Sequence, residues 1–468
     1  MTPLTPNFAS TPRTATAVDT LAGWLELVEN RTVQVGIIGL GYVGLPLTLL
    51  FSEEKFRVTG FDIDATKVEA LNNGRSYIHR IEPEHIFSAK KSGFRATSDF
   101  AEIATMDAVL ICVPTPLNHD HTPDMSYVTS TIESVAPHLR AGQLVVLEST
   151  TYPGTTEEII VETINRHGAA RGVQVLRAPA HAEEPASLNG VMVAFSPERE
   201  DPGNMITPRR EIPKVIGGVE ARATQAAAAL YGSIFTRTVP VSTPAAAEMT
   251  KLLENIYRSV NIALVNEMKQ LCLRMGIDIW EVIEAASTKP FGFQAFYPGP
   301  GVGGHCIPVD PFYLNWKAQQ FGIQAKFIEL AGEINEAMPA FVVETTARAL
   351  KRQDKQLRGA KVLVLGLAYK RDVDDLRESP SLAIIELLRH AGAEVAYNDP
   401  FFETVGSGRH YHLDLHSTPL DRVGEFDCVV VHTDHSLYDF AEIVENAKLV
   451  IDTRNATRAI ESPKIVHC

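Results

Sequence analysis

The chain has 468 residues, too many for one hydrophobic core, because single cores stop growing near about 250–300 residues. Its hydrophobic content of 45% and charged content of 21% are those of a globular protein, and a net charge of −14 argues against nucleic-acid binding. There is no apolar run of about 18 residues, so no membrane span is expected. The five cysteines (Cys112, Cys272, Cys306, Cys428 and Cys468) are widely spaced without a CxxC pair. That pattern suits a reducing, cytoplasmic compartment and predicts neither a disulfide framework nor a metal site.

Residues 1–31 read as an N-terminal arm. Its Thr- and Pro-rich start lacks the charged and apolar regions of a signal peptide. Leu21, Trp24, Leu25 and Val28 then mark one short amphipathic helix, a packing or oligomer feature. From Val33 an apolar run leads into Gly39-Leu-Gly41-Tyr42-Val43-Gly44, then a helix with Pro46 in its first turn, then a strand ending at Asp62. Strand, G-x-G-x-x-G, helix, strand and acid form the dinucleotide fingerprint. The glycines allow the turn and the approach of a pyrophosphate, and Asp62 takes the ribose hydroxyls. An acid there repels a 2′-phosphate, so NAD is the expected cofactor.

Two further buried-strand runs end in hydroxyls, at Thr115 in Pro114-Thr-Pro116 and at Thr150 in Glu148-Ser-Thr150. Each serves as a ligand contact or as a plain turn cap. Next, Ser196-Pro-Glu198-Arg199 opens a polar loop bounded by prolines. Glu198 is a candidate general base or one member of a solvated charge cluster.

The span Thr243–Met275 is the longest helical pattern, about 45–50 Å at about 1.5 Å per residue. Thr243 or Ser242 would cap it, and Gly276 would end it. Glu248, Lys251 and Asn255 share one face. That face is either an exposed polar stripe or, with both sides of the helix covered, a pair of groups for oxyanion and water handling. Downstream, five of the six residues Gly299 to Gly304 are Gly or Pro, and His305, Cys306 and Asp310 follow. Cys306 is either an inert buried thiol or a nucleophile, and the glycines permit close backbone approach. The role of His305 stays open.

The last third repeats a doubly wound plan without the triple glycine. Four strands are expected, and the first turn should bind something other than a complete NAD. In its charged loop, Lys370 and Arg377 either reach phosphates or are simply solvated. The fold class is therefore α/β: two Rossmann-like doubly wound domains joined by a long central helix and a helical middle domain. The boundaries are 1–31, 32–242, 243–345 and 346–468.

NAD with a nucleophilic Cys suggests oxidation beyond the aldehyde, since a thiohemiacetal yields a second hydride and becomes a thioester. These motifs resemble the UDP-glucose/GDP-mannose dehydrogenase family over roughly Thr32 to the end. They include Gly39–Gly44 with Asp62, Val113-Pro-Thr-Pro116, Glu148-Ser-Thr150, Ser196-Pro-Glu198 and Ala247-Glu-Met-Thr-Lys251 to Asn255. Gly303-Gly-His-Cys306 to Asp310 and Tyr369-Lys370 to Pro380 complete the set. The resemblance implies that Cys306 is the nucleophile, with Lys251, Asn255 and Asp310 orienting substrate and water. It makes Glu198 the hydrolytic base and Thr150 a hydroxyl near the reacting centre. It implies cofactor contacts at Gly39, Gly41, Tyr42, Val43, Gly44, Asp62, Thr115 and Thr150. Substrate contacts are implied at Glu198, Arg199, Lys251, Asn255, Gly303, Lys370 and Arg377, with residues 346–468 holding a UDP-sugar. A homodimer or higher homo-oligomer through the central helix is also implied. Pro202 stands where the UDP-glucose branch has a second Glu. The expected substrate is UDP-N-acetylglucosamine, oxidised at C6 for surface polysaccharide synthesis. UDP-glucose, UDP-N-acetylmannosamine and UDP-N-acetylgalactosamine are alternatives, and a non-catalytic sugar-nucleotide scaffold is the rival from another class.

Overall fold

The computed structural model describes residues 19–78, 81–118, 120, 122–177, 187–200, 207–304, 307–407 and 412–468. They fall into two compact units, which divide inside one helix between Lys251 and Leu252.

The first unit holds β1 (Gln34–Ile38), β2 (Arg57–Phe61), β3 (Arg95–Thr97), β4 (Ala108–Ile111), β5 (Leu144–Leu147), β6 (Met192–Phe195), β7 (Lys214–Gly218) and β8 (Thr238–Val241). Between them run α1 (Leu21–Glu29), α2 (Gly44–Glu53), α3 (Ala65–Asn72), α4 (Pro83–Lys91), α5 (Ser126–Val135), α6 (Glu162–Gly168) and α7 (Ala221–Gly232). The strands form one sheet in the order β3-β2-β1-β4-β5-β6-β7-β8, parallel except for β6 against β7. Strands β4 and β5 read Ala-Val-Leu-Ile and Leu-Val-Val-Leu and are buried throughout. Such continuous apolar runs belong to parallel strands covered on both faces. The order β3-β2-β1-β4-β5-β6 is that of dinucleotide-binding sheets, whose ligands lie beyond the carboxyl ends of the strands. The short N-terminal helix is a packing element. Trp24 is fully buried, and its indole N–H donates to the Ala226 carbonyl of α7 at 3.3 Å.

Helix α8 (Pro244–Met275) is one 32-residue element. The Thr243 hydroxyl accepts the Ala246 N–H at 3.1 Å, and Gly276 ends the helix at φ +71°. Its polar stripe is buried at Glu248, Lys251 and Asn255, while Leu253, Leu264 and Met275 are more than half exposed. The expectation that both sides are covered therefore does not hold for the chain by itself.

The second unit continues with α9 (Ile279–Ser287), α10 (Asp310–Gln320) and α11 (Lys326–Lys351). A parallel sheet follows, built from β9 (Lys361–Leu365), β10 (Glu394–Asn398), β13 (Cys428–Val431), β14 (Val450–Asp452) and β15 (Ile465–His467) in the order β10-β9-β13-β14-β15. Helices α12 (Pro380–His390) and α13 (Phe440–Asn446) accompany it, and β11 (Thr404–Ser407) pairs antiparallel with β12 (His412–His416). Five strands stand where four were expected. β15 has three residues, too few for a periodic signal. This is the α/β class with a Rossmann-like first domain, a helical middle region and a second parallel sheet. Among the described residues no helix is long and apolar enough to cross a membrane, and no group of three or more His, Cys, Asp or Glu could hold a metal.

Candidate active site

In the first unit the glycine turn after β1 is built for close approach. Gly39 has φ +89°, and a Cβ on Gly44 would lie 2.0 Å from the Gly39 carbonyl. A Cβ on Gly41 would meet nothing within 4 Å, so open space lies over the turn. The first turn of α2 has no side-chain cap, with Val43 at the N-cap position, which leaves N–H groups for an anion. Asp62 is buried and accepts the Leu40 N–H at 2.9 Å and the Asp64 N–H at 3.0 Å. These residues fit a dinucleotide: the open space over Gly41 would admit a pyrophosphate, and Asp62 would meet a ribose. Tyr42 at the turn is exposed, and Thr115 beyond β4 is buried.

The carboxyl ends of β5 and β6 carry the reactive candidates. Glu248 on α8 is buried and accepts the N–H of Gly154 at 2.6 Å and of Thr156 at 2.9 Å. One turn later the Lys251 ammonium donates to the Thr150 hydroxyl, and both residues are buried. After β6, Glu198 is fixed by one oxygen, whose partners are the N–H groups of Arg199 (2.8 Å) and Glu200 (2.9 Å). Its other oxygen, Oε2, is buried without a hydrogen bond and lies 3.6 Å from the Lys214 ammonium. Burial pushes the Glu198 carboxyl up. Lys214, Arg209, the Arg199 N–H and Lys251 outweigh it and hold the group below the ordinary carboxylate value. The Arg199 guanidinium donates to the Pro213 carbonyl at 2.8 Å.

In the second unit the Asn255 amide donates to Asp310, and Arg258 donates to the Asn255 carbonyl oxygen. Asp310 is buried in the first turn of α10. Asn266 of α8 accepts the Gly299 N–H at 2.9 Å and donates to Asn335 of α11 at 3.0 Å, which anchors the glycine loop. His305 and Cys306 lie outside the described residues, as do Pro202 and most of the arm. A Cβ on Gly303 would sit 2.6 Å from Tyr369 Cβ, and one on Gly301 would sit 3.0 Å from Pro380. These glycines make room for the chain's own Tyr369 and Pro380.

Arg377 pairs with Asp375 through two nitrogens, at 3.0 and 2.6 Å, and Lys370 is half-buried in the same loop. Sequence reasoning missed a neighbouring cavity of about 440 Å³ lined by Trp280, Tyr297, Arg371, Arg454 and Arg458. Trp280 and Tyr297 stack at 5.6 Å with planes 14° apart. The Arg454 Nε donates to the His432 carbonyl at 2.8 Å. Stacked rings beside guanidinium groups suit a base and a diphosphate. The turn after β9 is closed on its own acid, because Asp399 accepts the N–H groups of Leu367 (2.6 Å) and Ala368 (3.1 Å).

Residues 33–235, 245–337 and 363–459 match, in order, the NAD binding, central and UDP binding domains of the UDP-glucose/GDP-mannose dehydrogenase family. The chain belongs to that family. The protein is thus an NAD-dependent UDP-sugar dehydrogenase, an oxidoreductase acting on a CH–OH group. It is 35% identical over 434 residues to a UDP-N-acetyl-D-mannosamine dehydrogenase of Yersinia pestis, covering 91% of this chain and 99% of that one. The solved UDP-D-ManNAc dehydrogenase of Pyrococcus horikoshii superposes with a TM-score of 0.79 at 33% identity, covering 92% of this dehydrogenase and 96% of that chain. The NDP-N-acetyl-D-galactosaminuronic acid dehydrogenase of Methanosarcina mazei Go1 gives 0.75 at 29% identity, covering 96% of each.

Proposed function

We propose that this dehydrogenase oxidises UDP-N-acetyl-D-mannosamine at C6 to the uronate, removing four electrons. The observation that carries the substrate is the likeness to UDP-N-acetyl-D-mannosamine dehydrogenases across nearly their whole length. The expectation of UDP-N-acetylglucosamine yields to it, since that rested on two short loop motifs.

The residues support the chemistry as follows. The Lys251 ammonium, held by Thr150, stabilises negative charge on the C6 oxygen as the alcohol loses its proton. NAD, held at the Gly39–Gly44 turn and Asp62, would supply the hydride acceptor for each oxidation. The Cys306 thiolate adds to the aldehyde, and the thiohemiacetal is oxidised to a thioester. Asn255 and Asp310 orient the reacting oxygen and water. Glu198 takes a proton from the hydrolytic water. The cavity beside Arg454 holds the base and diphosphate, with Lys370 and Arg377 at its charged loop. The bare apolar side of α8 pairs with a second copy of the chain. The product, an acid sugar nucleotide, serves polysaccharide synthesis in the cytoplasm.

The test compares kcat/KM for UDP-N-acetylmannosamine, UDP-N-acetylglucosamine, UDP-N-acetylgalactosamine and UDP-glucose. The first should lead by at least about tenfold, the equivalent of about 1.4 kcal/mol. A higher value for any other sugar would replace the substrate. Cys306→Ala should abolish uronate formation, and unchanged uronate formation would remove the covalent step.

A further inference from the structure

A buried charge cluster behind Glu198 has no part in the chemistry above. Lys214, the first residue of β7, has a fully enclosed ammonium between two carboxylates. Glu148 is at 2.6 Å and Glu198 at 3.6 Å. The Tyr231 hydroxyl donates to the other oxygen of Glu148, and the rings of Tyr231 and Phe235 lie 5.2 and 5.4 Å from the ammonium. A structural ion pair needs one carboxylate. Here one cation serves two, and its hydrogen bond goes to Glu148 and not to Glu198.

The asymmetry has a consequence at Glu198. A contact of 3.6 Å is too long for a hydrogen bond, so Lys214 acts on Glu198 through charge alone. The lone pairs of Oε2 stay available inside a buried setting. The groups facing Glu198 are Lys214 from β7, Glu148 beyond β5, Arg209 from the turn before β7, Lys251 from α8 and the neighbouring backbone N–H groups. Cys112 at the end of β4 and Tyr231 of α7 complete the cluster. Burial pushes the Glu148 carboxyl up, whereas the surrounding cations hold Glu198 down.

We propose that Lys214 is a positioning residue for Glu198: pinned by Glu148 and Tyr231, its ammonium faces the carboxylate without occupying Oε2, the oxygen that takes a proton from water. This rests on the reading of Glu198 as the hydrolytic base. In that step the water oxygen bonds to the thioester carbon while one water proton passes to Glu198. The tetrahedral adduct then breaks its C–S bond, and the second water proton leaves with Cys306 as the thiol, giving the sugar carboxylate.

The experiment follows decay of the Cys306 thioester against pH in single turnovers of the full-length enzyme, with intact-mass detection. Glu198→Gln is the control for the underlying reading, and it should stall at the thioester after releasing two NADH. Lys214→Met should move the acidic limb of the decay rate up by at least one pH unit, about a tenfold loss on that limb. Glu148→Gln frees Lys214 for Glu198 and should move the same limb down. If Glu198→Gln stalls while both other variants keep the wild-type limb, Lys214 has no positioning role although the base stands. If Glu198→Gln turns over normally, the base reading itself fails. If Lys214→Met does not fold, Glu148→Gln decides alone. A downward move supports the role, and an unchanged or raised limb overturns it.

Discussion

One oxygen of Glu248 accepts both the backbone N–H of Thr156, at 2.9 Å, and its hydroxyl, at 2.6 Å. The other accepts the Gly154 N–H. The start of α8 is thereby tied to the loop beyond β5 that carries Thr150, and Lys251 follows one turn later. Glu248→Ala leaves these N–H groups buried and unpaired, at about 1–3 kcal/mol each. The expected outcome is a loss of unfolding free energy of that size, read as a lowered urea midpoint, together with a fall in kcat, because Lys251 loses its fixed distance to Thr150. An unchanged midpoint would show that the tie carries no stability.

Gly303→Ala tests what the glycine loop clears. The added Cβ would meet Tyr369 Cβ at 2.6 Å and the Glu378 carbonyl at 2.8 Å, and backbone does not yield cheaply. We expect kcat to drop by at least about tenfold, roughly 1.4 kcal/mol in barrier. NAD affinity, set in the other unit, should stay at the wild-type value. Tyr369→Gly in the same chain, which removes that Cβ, should restore part of the loss, which a clash with a bound sugar would not predict.

Trp280→Ala removes one ring of the stack beside Arg454. The expected result is a rise in KM for the UDP-sugar of about 10–100-fold, as the base loses about 1–3 kcal/mol of stacking. KM for NAD should not move. Steady-state kinetics with each substrate varied in turn separates the two.

Asp399 gives a pH dependence with a defined sign. Burial pushes its carboxyl up. The His435 hydrogen bond, the Phe401 and Leu367 N–H groups and the His435 charge outweigh that and hold it below the ordinary value of 3.8. A carboxylate lowered on folding adds stability above its unfolded value and loses it as pH falls through the folded one. Asp399→Asn should therefore be less stable than wild type at pH 7, by about 1–3 kcal/mol. The gap should close below about pH 4. Urea titrations at both pH values check this, and a gap that widens in acid would reverse the assignment.

Much of the fold was legible because its signals are local. The turn at Gly39–Gly44 and the acid at Asp62 lie within one strand–helix–strand unit, and Lys251 and Asn255 share a helical face at a fixed spacing. What was not legible depends on distant partners. Lys214 finds Glu148 across 66 positions, from a strand that reads as ordinary core. The cavity draws Trp280 from α9, Tyr297 from a loop and Arg454 from beyond β14. The glycines of the thiol loop announced close approach, but only the packing shows that Tyr369 and Pro380 are what approaches. The β11–β12 pair escaped because its strands are only four and five residues long and β11, Thr-Val-Gly-Ser, carries no periodic signal.

The most direct test of the central claim counts NADH formed per UDP-N-acetylmannosamine consumed, with the sugar limiting and NAD in excess, alongside mass analysis of the product. The four-electron route predicts two NADH per sugar and the uronate as sole product. One NADH with an aldehyde product, or no NADH at all, would contradict it.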